Sequence, residues 1–152
     1  MLRQLSLAAA AAAAFVALPG TAHAQDFRAT VVAQLDAAAR PVTGNGFRAD
    51  PGVFSRDVVV GALAKGTSSF QEINLQAGAS YFIAAACDED CSDMDLRLFA
   101  SDSDEALAED TKEDDYPMIT FTAPKTGRYM LAVDMAACGE SMCYYGYRVF
   151  KK

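Results

Sequence analysis

Cys87-Asp88-Glu89-Asp90-Cys91-Ser92-Asp93-Met94-Asp95-Leu96-Arg97-Leu98 is a loop that turns into a strand. Two cysteines bracket three acidic residues. From Met94 onward apolar and charged side chains alternate, the period of a strand with one buried face. The same texture recurs on both sides of this stretch, in short alternating runs divided by glycine or polar turns at intervals of roughly ten residues. The expected strands are 57–63, 69–75, 80–87, 94–100, 117–123, 127–135 and 143–150. Turns carrying Lys65-Gly66, Gln76-Ala77-Gly78 and Pro124-Lys125-Thr126-Gly127 separate several of them. This is the pattern of an all-β chain folded as an antiparallel sandwich or barrel.

Alternation assigns the faces. Tyr81, Ile83 and Ala85 fall on one side of their strand, as do Met94, Leu96 and Leu98, Ile119 and Phe121, Tyr129, Leu131 and Val133, and Tyr145, Tyr147 and Val149. These are the expected core. The opposite faces hold Glu72, Asn74, Asp95, Arg97, Asp134 and Arg148, but also Phe82, Phe99 and Phe150, so part of the second face needs a cover. An N-terminal helix can supply it. Asp26 is a helix-capping residue, Val31, Val32, Leu35, Ala38 and Ala39 recur at helical spacing over 27–40, and Pro41 is expected to end the run. The turn formers Thr43-Gly44-Asn45-Gly46 and Asp50-Pro51-Gly52 make 41–55 an irregular connection.

The first residues read as an export signal. Arg3 precedes an alanine-rich apolar run from Leu5 to Leu18, and Ala22-His23-Ala24 is a small-x-small cleavage site. The run is shorter than the roughly 20 residues a membrane span needs, and Pro19-Gly20 closes it. The expected organisation is a signal peptide at 1–24, a helix and connecting loop at 25–56, and a β-sandwich domain at 57–152. After cleavage no membrane-spanning segment is expected. The destination is the periplasm or the extracellular space.

Cleavage leaves 128 of the 152 residues, a length suited to one domain. It removes Arg3 from the 13 basic residues, so 12 basic face 20 acidic residues and the net charge is −8. Such a chain repels nucleic acid and anionic membranes and is compatible with cations. The chain's one histidine, His23, goes with the signal peptide, and there is no tryptophan. A mature chain without imidazole cannot form a Ser-His-Asp or Cys-His pair or a histidine-ligated metal site. Carboxylate-pair chemistry and oxygen-ligated hard cations survive that exclusion.

Four features occur in order: Leu75-x-x-Gly78-x-x-Tyr81; Asp93-x-Asp95-Leu96-x-Leu98; Pro117-x-Ile119-x-Phe121 with Pro124 and Thr126-Gly127-x-Tyr129; and Tyr144-Tyr145-Gly146-Tyr147 near the C-terminus. Over about Val60 to Phe150 the set resembles the bacterial pre-peptidase C-terminal domain, which is also similar to collagenase collagen-binding domains. The resemblance implies a secreted, jelly-roll-like β-sandwich without catalytic residues, of the kind appended to secreted peptidases to aid secretion, solubility or substrate attachment. This chain is expected to be a stand-alone version, to which the 26–56 segment and two cysteine pairs are added.

Four cysteines in an exported chain read as two disulfides. Three pairings are open. Crossed pairs would close loops of some fifty residues and restrict the unfolded chain by roughly 4 kcal/mol, against roughly 2 kcal/mol for a local pair. Local pairs, Cys87–Cys91 and Cys138–Cys143, meet the required Cα separation within one tight turn, and geometry favours them. A Cys₄ zinc site is the rival.

The acidic residues form three groups: Asp88, Glu89, Asp90, Asp93 and Asp95; Asp102, Asp104 and Glu105; and Glu109, Asp110, Glu113, Asp114 and Asp115. The first is expected at one end of the 94–100 strand and the other two at the opposite end. Side chains at alternate positions offer oxygens for calcium, and Asp88, Asp90, Asp93 and Asp95 are the candidate ligands. The EF-hand pattern is absent, because Asp93 stands where its glycine belongs and Phe99 where its glutamate belongs. The plainer alternative is a set of solvated loop carboxylates. Tyr145 and Tyr147 read as core and Tyr144 as a sheet edge, with a binding face as the alternative for all three. No catalytic residue is assigned. The expectation is an exported, non-catalytic binding or structural domain, with calcium as its candidate stabilising ion and a protein or polysaccharide outside the cytoplasm as partner. Its rivals are a small secreted hydrolase using paired carboxylates and an accessory module acting with a separate secreted peptidase.

Overall fold

A computed structural model describes residues 20–50 and 58–152, with side chains from Phe27 onward. The basic and apolar parts of the expected signal peptide, and the Pro51-Gly52 turn, lie outside the described residues. The elements run α1 (Gly20–Gly44), β1 (Arg48–Ala49), β2 (Val59–Leu63), β3 (Thr67–Leu75), β4 (Ser80–Cys87), β5 (Cys91–Ala100), β6 (Ala106–Asp110), β7 (Met118–Thr122), β8 (Gly127–Cys138) and β9 (Cys143–Lys151).

The strands form two antiparallel sheets, the expected sandwich. In the first, β9 lies between β4 and an edge shared by β2 and β1, and β7 closes the far side of β4. The second has the order β3-β8-β5-β6. The connections β2–β3, β3–β4, β4–β5, β6–β7, β7–β8 and β8–β9 all cross between sheets, and β5–β6 is a hairpin within one sheet. A chain that changes layer at nearly every turn places inward-facing residues of both sheets in one core.

That core matches the alternation. Of the fourteen expected core residues, thirteen are buried, and Phe121, on edge strand β7, is half-buried and packs against the cluster. Buried tyrosines keep their hydroxyls satisfied: Tyr81 accepts the Gln76 N–H at 2.9 Å, and Tyr129 donates to the Lys125 carbonyl at 2.9 Å. On the outer side of the first sheet, Val31, Leu35 and Ala38 of α1 pack with Ala84 and Ala86, and Phe82 joins them. The helix is the cover that Phe82 required, and Phe150, itself buried, packs on Phe82 with ring centroids 5.9 Å apart. Phe99 lies on the other sheet, beyond its reach, and lines an open cleft of about 250 Å³ with Phe70 and Met130.

Four expectations are corrected. The helix already runs at Gly20, the first described residue, ahead of the Asp26 cap and through the helix-favouring alanines 22 and 24. It also continues past Pro41. A proline in the last turn removes one N–H bond, and turn amides still cap that end: Asn45 donates to Val42 at 3.0 Å and Gly46 to Thr43 at 3.2 Å. There are two strands more than expected. Short β1 falls in the segment read as irregular, and β6 was masked by its acidic flanks. Because β6 runs back along β5, it returns Asp110 to Asp115 to the end that holds Asp88 to Asp95, where the Asp114 carbonyl accepts the Met94 N–H at 2.9 Å and the Asp115 carbonyl accepts the Cys87 N–H at 3.3 Å. The first and third acidic groups therefore share one end. The second, in the β5–β6 turn, is alone of the three at the other.

Where α1 meets the sheet the backbone approaches closely. A Cβ on Gly146 would sit 2.7 Å from Val31 Cγ1 and 2.9 Å from the Val59 carbonyl, and one on Gly61, in the neighbouring strand, would meet the Tyr145 hydroxyl at 2.7 Å and its ring at 2.8 Å. Gly146→Ala is expected to destabilise by about 1–3 kcal/mol, because the helix or edge strand must give way. Gly127→Ala, whose Cβ would meet nothing within 4 Å, is the control that should unfold near the parent midpoint in urea.

Candidate functional site

Both disulfides form locally, Cys87–Cys91 and Cys138–Cys143, each with Cα atoms 5.9 Å apart. They do more than close loops. Cys87 ends β4 in the first sheet and Cys91 begins β5 in the second, while Cys138 ends β8 in the second and Cys143 begins β9 in the first. Cys91 and Cys138 are register partners, and Gly139 N–H donates to the Asp90 carbonyl at 2.7 Å. Two adjacent inter-sheet crossings are thus joined into one rigid end.

The four candidate calcium ligands are divided between two places. Asp88 is buried, 1% exposed, and its Oδ2 accepts the Tyr144 N–H at 2.8 Å. Its Oδ1 has no hydrogen-bond partner. Asp88 and Asp90 line a cleft of about 500 Å³ with Glu140, Ser141, Met142, Tyr144 and Phe27. Asp93 sits at a β-bulge opposite Ala137. Asp95 faces Asp134 across the β5–β8 ladder, on the outer surface of the second sheet. Arg97 donates to Asp134 Oδ2 through Nε at 3.0 Å and Nη2 at 2.7 Å, and Ser68 donates to Asp134 Oδ1. Among the described residues no three metal-ligating side chains converge. A strand directs alternate side chains along its length, not toward a point, so one site using all four carboxylates does not fit.

Charge and burial act differently on these groups. Burial lifts the Asp88 carboxyl above its ordinary 3.8, outweighing the Tyr144 N–H and the weaker pull of the Asp90 backbone N–H, and the charges of Asp90 and Glu89 push the same way as burial. Asp95 is also raised, by burial and then by Asp93 and Asp134. Asp110 is lowered: burial opposes ionisation, but the Met118 N–H at 3.0 Å and Lys112 at 3.3 Å together prevail.

Tyr144, expected at a sheet edge, lies on β9, which is interior to its sheet. The ring projects from the end and stacks on Phe27 of α1, centroids 5.4 Å apart and planes 14° apart. Glu140, Met142 and Phe27 went unnoticed as site residues. No motif marks them, since helix, β4–β5 loop and β8–β9 loop meet there through topology alone. Met142, 51% exposed between two disulfide-held strands, is the signal that a search for displayed apolar residues would have found.

No family model matches the chain, and no curated protein matches it in sequence. Several solved structures are similar in fold. A periplasmic inhibitor of g-type lysozyme from Aeromonas hydrophila is 12% identical, with 62% of this chain and 84% of that one covered and a TM-score of 0.49. The pre-peptidase C-terminal domain of collagenase from Bacillus anthracis is 21% identical, covering 60% of this chain and 86% of that one at a TM-score of 0.49. A carbohydrate-binding module from Cellvibrio mixtus lichenase 5A is 10% identical over 68% and 95%, at a TM-score of 0.37. The likeness is one of fold alone.

Asp88 has a measurable signature. Its folded pKa lies above 3.8, so just above that value the folded chain holds a proton that the unfolded chain has released, and this group adds stability as pH falls through the window. Asp110 has the opposite sign. Asp88→Asn keeps an acceptor for the Tyr144 N–H and removes the titration. On going from pH 7 to pH 4.5, urea unfolding of Asp88→Asn should show a less favourable change in stability than the parent shows.

Proposed function

We propose that the protein is an exported, non-catalytic binding domain that meets a protein partner in the periplasm or outside the cell through its disulfide-stapled end. The observation that carries this reading is the arrangement of Phe27 of α1 and Tyr144 of β9 with Asp90, Glu140 and Met142, which lie on loops fixed by two disulfides and the Gly139–Asp90 bond. Rigid loops lose little entropy on binding, and an aromatic and methionine cluster with a polar rim has the composition of an interface centre.

Export is supported by the Arg3 to Ala24 sequence and by two disulfides, which persist in oxidising compartments. Among the described residues no helix is long and apolar enough to cross a membrane. The non-catalytic assignment rests on what the buried carboxylates do. Asp88 holds the Tyr144 amide, Asp110 the Met118 amide, and Asp134 both Arg97 and Ser68. Each has at least one oxygen committed to a tether, whereas a hydrolase needs two carboxyl groups free to exchange protons across a substrate.

Site-specific photocrosslinking tests the surface. With Met142→p-benzoyl-phenylalanine, irradiation in an extract of the exported compartment should give a discrete adduct, and Ser103→p-benzoyl-phenylalanine at the opposite end should give none. Adducts from position 103 and none from 142 would move the surface elsewhere.

A further inference from the structure

The cleft between Asp88, Asp90, Glu140, Met142, Tyr144 and Phe27 contains a chemical imbalance. Asp88 is 1% exposed, and one of its carboxylate oxygens has no donor. Leaving a buried charged acceptor unsatisfied is among the costlier defects a fold can carry. The two other carboxylates lining the cleft, Asp90 and Glu140, add negative charge, and no lining residue is basic. The missing element is a donor that also carries positive charge. Burial and the neighbouring Asp90 and Glu89 already raise the Asp88 carboxyl, so a bound cation would relieve the same unfavourable charge.

The remaining walls narrow the choice of cation. Phe27 and Tyr144 present stacked rings, and the half-exposed Met142 adds apolar surface beside them. A metal ion gains nothing from these and needs more oxygens than converge here, since no metal-ligating group of three forms among the described residues. A compact ammonium would use the carboxylates and leave the ring faces idle. A planar guanidinium on a methylene stem uses all of it: the fork matches carboxylates, its face stacks on an aromatic ring, and the stem covers apolar surface. The volume of about 500 Å³ admits such a side chain with accompanying water.

We propose that this cleft binds the guanidinium of an arginine side chain presented by the partner protein, with the Asp90 and Glu140 carboxylates as acceptors, the buried Asp88 charge behind them, and the Phe27–Tyr144 pair as the stacking wall. The assignment rests on the stapled end being the contact surface and names the chemistry that surface recognises.

The test is an amide NMR titration of the ¹⁵N-labelled, disulfide-bonded protein with N-acetyl-arginine amide, followed at the Tyr144 amide because it donates to Asp88. A saturable shift with a dissociation constant on the order of millimolar is expected for one side chain. The neutral isostere N-acetyl-citrulline amide should produce none. Asp90→Asn with Glu140→Gln should weaken binding at least about tenfold, while amides of the β5 core, such as Met94 and Leu96, stay in place. The proposal is overturned if citrulline amide shifts Tyr144 equally, if lysine amide or calcium saturates the site where arginine amide does not, or if the double variant keeps the parent affinity. A crosslink at position 142 combined with an inert arginine titration would leave the contact surface standing and remove the guanidinium.

Discussion

Everything at the acidic end depends on the two disulfides acting as links between layers. Each lies where the chain crosses from one sheet to the other, β4 to β5 and β8 to β9, and the two crossings are neighbours through the Cys91–Cys138 register pair. Their entropic effect on the unfolded chain is small, because each closes a ring of a few residues. Their larger consequence is local. Two sheets held by core packing can splay at an end, where strands run out and apolar contacts become sparse. Covalent links at that rim keep the final core residues, Cys87, Met94, Met135 and Cys143, fully buried.

The buried charged groups extend the same logic with hydrogen bonds. Asp88 ties the β4–β5 loop to the start of β9, and Asp110 ties the end of β6 to the start of β7. Asp134 ties β8 to β5 and β3. Arg148, nearly buried on the outer side of the first sheet, reaches Asp36 of α1 at 2.7 Å. The Tyr116 hydroxyl donates to the Gln34 carbonyl at 2.7 Å, fastening the β6–β7 loop to the same helix. These contacts select a register and a helix position more than they add net stability, since the desolvation of a buried charge offsets much of what its partner returns.

Much of the fold was legible because strand alternation reports burial directly. Tyr81, Ile83, Met94, Leu96, Leu131 and Tyr147 fell on the correct face from spacing alone, and the leftover Phe82 and Phe150 correctly demanded a cover. The local pairing of the cysteines followed from the reach of a disulfide. What failed had a common cause. The course of β6, the grouping of Asp110 to Asp115 with Asp88 to Asp95, and the meeting of Phe27 with Tyr144 depend on which strands become neighbours, and no local period encodes that. The helix boundary failed differently: a cap and a proline are propensities, outweighed by the helix-favouring alanines 22 and 24 ahead of Asp26 and by the turn amides that cap the end past Pro41. The calcium reading takes sequence neighbours as spatial neighbours, whereas Asp93 and Asp95 follow β5 beyond the cleft that Asp88 and Asp90 line.

The concentration of charge at one end is itself an argument about function. Asp88, Glu89, Asp90, Asp110, Asp114, Asp115 and Glu140 lie on loops and strand ends that meet there, and Asp93 and Asp95 follow along β5. Arg97 and Lys112 offset part of this repulsion by pairing with Asp134 and Asp110. Solubility alone would be served as well by spreading the carboxylates over the surface, and repulsion would then be weaker. Gathering them where disulfides resist separation keeps the repulsion from opening the sandwich. The same gathering creates a field that draws cationic groups toward the Phe27–Tyr144 cleft, with an association rate that falls as salt screens it. The staples and the charge are therefore linked: the first makes the second tolerable, and the second is what the proposed contact surface would offer a cationic partner.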